Sequence, residues 1–249
     1  MSLSNILQQR SALGIFSKTT DSAFVEAAGL AGLDFIILDQ EHGPVSLENL
    51  HHHVRAARLT DMAPIIRVKG VDAHAIGAAL DTGAAGVQIP NINTVKQAEA
   101  AVSAARFYPL GQRGVCRFVR AADFGKQEKS AYFKNSNKYV VILQVEGVEG
   151  VRNLDEILDV PGFDVLFVGP YDLSQSVGRP GEIDAPEVVS LIKEIARKAK
   201  EKKILLGAFC DTAENLALLS EEGFVYLAYS VDINIYAKAV ESLFMRLKK

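Results

Sequence analysis

The sequence predicts one (β/α)8 barrel, a TIM barrel, spanning residues 1–249 as a single domain. Short β-rich apolar runs alternate with longer segments of helical periodicity, as parallel strands joined by crossover helices do. Eight such units occur in 249 residues, a usual length for this barrel. A doubly wound open sheet is the alternative fold, because alternation of strands and helices does not by itself prove closure.

The predicted strands are apolar runs that carry few charges before their C-terminal ends. This composition is expected when one face of a parallel strand packs into the barrel and the other against helices. The predicted strands are Leu13–Phe16, Phe35–Leu38, Pro64–Val68, Gly86–Pro90, Val140–Val145, Asp164–Val168, Ile204–Ala208 and Phe224–Tyr229. Glycine turns before several of them, at Gly32, Gly83 and Gly223, are typical of helix ends at the N-terminal rim.

Helices are predicted between the strands, several of them opened by a residue that caps the free N–H groups of the first turn. The predicted starts are Asp21, Ser46, Asp72, Thr94, Asn153, Ala185 and Thr212, and a last amphipathic helix spans Ile233–Leu247. Residues 107–139 contain PLGQRG, several lysines and little periodicity. We interpret them as an elongated loop that covers the site or contacts another subunit.

The composition is typical of a soluble protein whose partner is a small molecule. Hydrophobic residues make up 49% and charged residues 23% of the chain, which is enough apolar side chain for a large core. A formal net charge of -3 argues against a nucleic-acid partner. The two cysteines, Cys116 and Cys210, have no ligand spacing and fit a reducing cytoplasm. Neither a signal peptide nor a membrane-spanning run is apparent.

Polar residues follow the predicted strands at the C-terminal rim, where barrel enzymes carry their catalytic groups. They are Asp39, Glu41 and His42 after strand 2, Arg67 in strand 3, Gln144 and Glu146 at the end of strand 5, and Tyr171 and Asp172 after strand 6. Since these ends meet at one mouth, acids, a histidine and an arginine are expected to converge.

Glu146 and Asp172 are the candidate metal ligands, because two carboxylates from adjacent strands suit a hard divalent cation that keeps positions open for water or substrate. They could instead be solvated loop acids or helix caps. Gln144 has the same strand parity as Glu146, so it is expected to face inward and offer a neutral hydrogen bond to a substrate carboxylate.

Arg67 lies in an apolar run, where a permanent charge needs a partner. That partner is either a buried carboxylate in a structural salt bridge, or the carboxylate or developing enolate of a substrate. His42 precedes Gly43-Pro44, a rigid turn that would hold its imidazole near the mouth as a general acid or base. The remaining histidines, His51, His52, His53 and His74, are interpreted as surface residues.

Five segments in order resemble the HpcH/HpaI family of metal-dependent pyruvate aldolases, and the resemblance covers nearly the whole chain. They are Asp39–Gly43, Ile66–Arg67, Gln112–Gly114, Gln144–Glu146 and Gly169–Ser174. The resemblance implies a (β/α)8 barrel that swaps its last helix between subunits and usually assembles as a hexamer. It also implies cleavage of 4-hydroxy-2-oxo acids, of the 2,4-dihydroxyhept-2-enedioate or 2-dehydro-3-deoxy sugar acid type, to pyruvate and an aldehyde.

Carried over by residue, the resemblance assigns the divalent metal to Glu146 and Asp172, with Mg2+ expected and Mn2+ or Co2+ as alternatives. Gln144, with the backbone around Tyr171, would seat pyruvate, and Arg67 would steady the enolate.

The resemblance makes His42 the base that removes the proton of the 4-hydroxyl group, through water. The family pairs this histidine with an aspartate that matches Asp81 here. Asp81 is expected at the opposite end of the barrel, so it would have to come from a neighbouring subunit, or else Asp39 takes the role. Asp81 could also merely stabilise the turn at its helix end.

Four other functions remain as alternatives. A Schiff-base aldolase needs a buried lysine, and Lys69 is the candidate. A malyl- or citramalyl-thioester lyase would share the fold, although no basic patch for coenzyme A is apparent. A non-catalytic barrel that binds a carboxylate would lack the metal. A phosphate-binding barrel is disfavoured, because the loops after strands 7 and 8 lack the glycines that expose backbone N–H groups.

Overall fold

The computed structural model describes residues 2–248 as a closed barrel of eight parallel strands in sequential order. The strands are β1 Ala12–Ser17, β2 Phe35–Asp39, β3 Ala63–Arg67, β4 Gly86–Ile89, β5 Val140–Val145, β6 Val165–Val168, β7 Leu205–Cys210 and β8 Tyr226–Val231. Pairing of β1 with β8 closes the sheet. The predicted (β/α)8 barrel is therefore confirmed, and the open sheet is excluded.

Twelve α-helices and one 3-10 helix surround the strands of the described chain. The α-helices are α1 Leu3–Gln9, α2 Ser22–Leu30, α3 Leu47–Ala57, α4 Ala73–Asp81, α5 Val95–Ala105, α6 Lys129–Ser136, α7 Val148–Arg152, α8 Leu154–Leu158, α9 Pro170–Ser176, α10 Pro186–Glu201, α11 Ala213–Glu221 and α12 Asp232–Leu247. No helix within residues 2–248 combines the length and apolarity that crossing a bilayer requires.

Five of the six predicted capping side chains act as predicted, whereas Asn153 makes no capping hydrogen bond. The side chains of Asp21, Ser46, Asp72, Thr94 and Thr212 each accept a hydrogen bond from a backbone N–H in the first turn of the helix that follows. These bonds satisfy donors that have no partner inside the helix. The helix starts, and hence the spacing of the βα units, can therefore be derived from local sequence.

Helix α1 closes the N-terminal end of the barrel and was not predicted. Its buried residues Leu3, Ile6 and Leu7 belong to the apolar cluster that fills the barrel interior, together with Phe35 and Ile65. A second cluster lies between the strands and the outer helices. Because the interior is packed with side chains, space for a ligand remains at the C-terminal rim.

Residues 107–139 are more structured than the predicted elongated loop. They contain the 3-10 helix Arg120–Gly125 and the helix α6, which pack on a small cluster of their own. That cluster consists of Phe107, Ala121, Ala122 and Tyr132. The prediction of a plain loop was wrong here because these helices are too short for their apolar residues to show a helical period.

Candidate active site

The ends of β2 and β3 hold a buried ion pair. Asp39 and Arg67 are register partners on the two strands. Arg67 Nε donates to Asp39 Oδ1 at 2.9 Å and Nη2 donates to Oδ2 at 2.8 Å. The third nitrogen, Nη1, lies 2.9 Å from Glu41 Oε2. Arg67 therefore has buried carboxylate partners, as one of the two predictions required. It also lines the central cavity, where the other predicted partner, a substrate anion, would bind.

Burial and pairing have opposite effects on the pKa of Asp39. Burial pushes this pKa upward, but the hydrogen bonds and charge of Arg67 outweigh it and lower the pKa overall. Asp39 Oδ1 also accepts from the backbone N of Glu41 at 3.0 Å and of His42 at 3.4 Å. Asp39 therefore holds the backbone of the turn that carries His42.

The imidazole of His42 is exposed at the mouth. Its Nε2 lies 3.9 Å from Glu41 Oε2. No hydrogen bond joins the imidazole to Asp39 among the described residues, because both oxygens of Asp39 are occupied by Arg67 and backbone N–H groups. The ring is therefore free to meet a ligand, and its only nearby carboxylate within residues 2–248 is Glu41.

Two glutamines and a glutamate form a hydrogen-bonded row across β4 and β5. Gln88 Nε2 donates to Gln144 Oε1 at 2.5 Å, and Gln144 Nε2 donates to Glu146 Oε2. The other oxygen of Glu146 accepts from the backbone N of Asn91 at 2.9 Å. Gln144 thus faces inward as expected. Gln88 was missed, although a glutamine inside the otherwise apolar run of β4 was a usable signal, and the structure shows it fully buried.

Glu146 is a buried carboxylate that forms no ion pair with another side chain of residues 2–248. Burial raises the pKa of Glu146 to about 7, and the neighbouring carboxylates of Asp172 and Glu41 add to the rise. Asp172 lies exposed in the first turn of α9. Four carboxylates, including Asp39, therefore share this rim with two side-chain cations, Arg67 and Lys18.

A cavity of about 290 Å³ opens at the centre of this rim. Its lining includes His42, Arg67, Gln144, Tyr171 and Asp172. The hydroxyl of Tyr171 donates to Asp211 Oδ2 at 2.5 Å, a bond that raises the pKa of Tyr171 to about 12. The structure thus brings five of the residues singled out from the sequence together around one cavity.

Asp81 lies at the other rim of its own chain. It is the last residue of α4, and its Oδ1 accepts a hydrogen bond from Arg113 Nη2 at 2.6 Å. His42 follows β2 at the C-terminal rim. Within one chain, the structure therefore does not bring Asp81 and His42 together.

The structure differs from what the sequence led us to expect at Lys18 and His53, and it also settles the exposure of Lys69. Lys69 is exposed and does not line the cavity, whereas Lys18, which was not singled out, does. His53 was expected on the surface, but it is fully buried and its Nε2 lies 2.9 Å from the carbonyl oxygen of Thr19. That expectation was wrong because α3 turns this one histidine toward the barrel. Burial lowers the pKa of His53.

The donor set fits a divalent cation that keeps open positions. Within residues 2–248, no three His, Cys, Asp or Glu side chains form a complete ligand cluster. The charge of Asp172 nevertheless adds to the rise in the pKa of the desolvated Glu146. Two adjacent carboxylates of this kind are stabilised by a hard cation.

Comparison with known proteins gives consistent matches over the whole barrel. The profile of the HpcH/HpaI aldolase/citrate lyase family matches residues 12–239. The chain is 33% identical over 242 residues to a 2-dehydro-3,6-dideoxy-6-sulfogluconate aldolase of Pseudomonas putida, covering 97% of this chain and 94% of that one. It is 34% identical over 231 residues to a 2-keto-3-deoxy-L-rhamnonate aldolase of Escherichia coli K12, covering 92% and 86%.

A solved structure agrees with these sequence matches. The chain superposes on an HpcH/HpaI aldolase/citrate lyase family protein from Burkholderia cenocepacia J2315 with a TM-score of 0.94, 29% identity and 99% coverage of both chains. The expected class, a carbon–carbon lyase acting on small molecules, is confirmed by the family and its named aldolases. The chain belongs to the HpcH/HpaI aldolase/citrate lyase family.

Proposed function

We propose that this protein is a metal-dependent aldolase that reversibly cleaves a 4-hydroxy-2-oxo acid to pyruvate and an aldehyde. The observation that carries the proposal is the cavity lined by His42, Arg67, Gln144 and Asp172, with the buried carboxylate of Glu146 hydrogen-bonded to Gln144 at its wall. The relatives support it, because they are named as aldolases of 2-keto-3-deoxy acids or a 6-sulfo derivative.

Glu146 and Asp172 would hold the cation, with Mg2+ expected and Mn2+ or Co2+ as alternatives. When bound, such an ion supplies Lewis-acid polarisation of a 2-oxo group. Asn91 N and Gln144 Nε2 fix the two oxygens of Glu146, so the carboxylate is already oriented. Preorganised ligands of this kind lose little entropy on binding.

Arg67 and Gln144 would bind the pyruvate half of the substrate. The guanidinium of Arg67 is held by Asp39 and Glu41 and cannot swing away from the cavity. As negative charge develops on the 2-oxo oxygen, a fixed guanidinium stabilises it without reorganisation. Gln144 Oε1 accepts from Gln88, and one N–H of the Gln144 amide donates to Glu146. The second N–H of that amide would donate to the substrate. The backbone around Tyr171 completes the pocket.

His42 would act as the base. Removal of the proton from the 4-hydroxyl oxygen, through water, lets that oxygen form the aldehyde carbonyl as the C3–C4 bond breaks. The electron pair of that bond passes to the pyruvate half as an enolate, which a proton at C3 then converts to pyruvate. In the reverse direction the same imidazole would return the proton.

The carboxylate that supports His42 would be Asp81 of a neighbouring subunit. Asp39 is the alternative, but its oxygens are occupied by Arg67 and by backbone N–H groups. Mixing His42→Ala and Asp81→Ala subunits tests this choice. Recovery of activity in the mixture is expected, because one site would then contain both native residues. No recovery would favour Asp39.

Exposed apolar residues support a homo-oligomer, with a hexamer and a swapped α12 as the expectation. Helices α10 and α12 each have 16 residues, but α10 buries four and α12 buries only Asp232. Large exposed side chains on α12 and in residues 107–139 include Tyr236, Leu243, Phe244, Tyr108 and Phe118. Patches of this kind mark subunit contacts. Light scattering tests the assembly, and a monomer would contradict it.

A pyruvate-release assay over a panel of 4-hydroxy-2-oxo acids tests the function. Turnover by the wild type is expected to disappear with chelator and in Glu146→Ala, while circular dichroism shows a folded protein. Activity that survives both treatments would refute the metal role. Inactivation by borohydride in the presence of pyruvate, with turnover insensitive to chelator, would instead indicate a Schiff base on a lysine.

A further inference from the structure

Lys18 occupies a rigid position at the wall of the cavity. It directly follows β1, and its backbone N donates to Asp232 Oδ1 at 3.1 Å and to Oδ2 at 3.3 Å. The hydroxyl of Ser17 donates to the same carboxylate at 2.6 Å. The buried Asp232 therefore fixes the base of the Lys18 side chain, which points toward the cavity rather than into bulk solvent.

The ammonium group of Lys18 has N–H donors available for a ligand. Its Nζ lies 3.7 Å from Asp39 Oδ2, longer than a hydrogen bond, and that oxygen already accepts from Arg67 at 2.8 Å. No other carboxylate is paired with Lys18 within residues 2–248, and its side chain is 28% exposed. An ammonium carries three N–H donors, so a ligand in the cavity can accept from it.

Lys18 lies beside His42 and follows the strand opposite the one that leads to Glu146. A Cβ built on Gly43, next to His42, would stand 3.6 Å from the Cα of Lys18. In a closed eight-stranded barrel β1 is opposite β5, which carries Glu146 just beyond its end. A substrate whose pyruvate half binds near Glu146 and whose 4-hydroxyl group meets His42 therefore directs its remaining atoms toward Lys18.

The rest of this wall is apolar. Phe16, Phe209 and Val231 line the cavity on the β1, β7 and β8 side. They suit a short carbon chain, while Lys18 suits a negative charge at the end of it. A single cation in such a wall favours an anion over a neutral group of similar size, because a charge-assisted hydrogen bond is stronger than a neutral one.

We propose that Lys18 is a specificity-determining residue that binds a carboxylate or sulfonate at the far end of the acceptor aldehyde. The assignment rests on the proposed aldolase function and names the acceptor class. The preferred acceptor is then an aldehyde with a terminal anion, and the corresponding substrate is a 2-oxo acid with negative charge at both ends.

Aldol addition of pyruvate tests the proposal with matched acceptors. The acceptors are 4-oxobutanoate, its neutral methyl ester, and 3-oxopropane-1-sulfonate, and kcat/KM is measured for each with wild type, Lys18→Met and Lys18→Arg. Wild type is expected to prefer the anions over the ester by about ten-fold or more. Lys18→Met is expected to lose most of this ratio and Lys18→Arg to keep most of it. The two anionic acceptors show whether carboxylate or sulfonate is preferred.

Lys69→Met is the matched control, since it removes the same charge from the same rim outside the cavity. It should keep the wild-type ratio. Lys18→Gln provides a second neutral variant if Lys18→Met does not fold. An unchanged ratio in the neutral Lys18 variants, or no preference in wild type, overturns the role of Lys18 while leaving the aldolase intact. No product from any acceptor overturns the aldolase itself and this inference with it.

Discussion

The two rims of the barrel differ in how well their positive and negative side chains balance. At the N-terminal rim, Arg10 pairs with Asp34 at 2.5 Å, Arg106 with Asp164 at 2.7 Å, and Arg113 with Asp81 at 2.6 Å. Each of these three arginines has one carboxylate. At the C-terminal rim, Asp39, Glu41, Glu146 and Asp172 surround the candidate cavity and outnumber Arg67 and Lys18, the two arginine or lysine side chains that line it within residues 2–248.

Under the proposed function, this difference separates residues that stabilise the fold from residues that would hold the cation. Removing one partner of a buried ion pair leaves the other charge unpaired, which lowers the stability of the fold. An excess of two negative charges destabilises the isolated protein and is relieved by a divalent cation. Substitutions at the N-terminal rim should therefore lower stability, whereas those at Glu146 and Asp172 should lower activity.

The largest expected effect is on turnover in Glu146→Gln. Loss of a metal ligand should lower kcat/KM by about a thousand-fold or more, since a Lewis-acid cation contributes several kcal/mol. The metal-free variant should unfold at the same temperature as metal-free wild type or higher, because one unmatched charge is gone. Pyruvate release and thermal unfolding measure the two quantities. A variant that is both active and destabilised would reverse the contrast between the rims.

At the N-terminal rim the largest expected effect is on stability, in Arg106→Met. Arg106 is buried and donates to Asp164 and to the carbonyl oxygens of Gly162, Asn137 and Tyr139. Its loss should cost about 3 kcal/mol of unfolding free energy, measured with urea, because these acceptors lose their donor. Activity per folded molecule should persist.

Arg10→Met is the matched control at the same rim. Arg10 is mostly exposed, so the change in unfolding free energy should be much smaller than that of Arg106→Met. Equal losses in the two variants would show that burial does not determine the strength of these pairs.

A smaller kinetic effect is expected from Gln88→Met. Without Gln88 Nε2, the amide of Gln144 loses the contact that fixes its orientation toward Glu146. The KM for pyruvate in aldol addition should rise by about ten-fold, comparable to other supporting residues around metal ligands. Gln8→Met, which changes an exposed glutamine on α1, should leave KM unaltered. An unchanged KM in Gln88→Met would assign Gln88 to packing alone.

The two rims should also differ in how they titrate without metal. The unfolded chain releases the proton of Glu146 near the ordinary pKa of 4.5, whereas burial holds it to about 7 in the folded state. The folded state therefore binds more protons between these values, and stability should fall as pH rises through them. The hydrogen bond from Arg10 lowers the pKa of Asp34, so its contribution is lost only as pH falls below 3.8.

Urea unfolding in the presence of chelator, from pH 4.5 to 8, measures this slope. Glu146→Gln should remove the loss of stability that wild type shows toward neutral pH. The same slope in both proteins would assign it to another group whose pKa is raised in the folded state, such as Glu41, where burial raises the pKa.

Sequence predicted the architecture well, because caps and apolar runs are local signals. Asp21, Ser46 and Thr94 mark helix starts that the structure confirms. Closure of the barrel by pairing of β1 with β8 could be predicted from the number of βα units and the chain length alone. The helix α1 was not anticipated, since seven residues are too few to establish a period.

Sequence predicted the site less completely, because side-chain partners come from distant strands. Glu146 and Asp172 were singled out as candidate metal ligands from their place after β5 and β6. The role of Gln88 depends on Gln144, 56 residues away, and the position of Lys18 depends on Asp232, 214 residues away. No local pattern contains such contacts. His53 was misassigned for the same reason, as its partner is the carbonyl of Thr19.

The central claim is that Glu146 and Asp172 bind one divalent cation beside Arg67 and His42. Isothermal titration of metal-free protein with Mg2+ or Mn2+ tests it most directly, in wild type, Glu146→Gln and Asp164→Asn. One ion per chain should bind to wild type and to Asp164→Asn, and none to Glu146→Gln. Equal binding by Glu146→Gln, or no binding by wild type, would contradict the account.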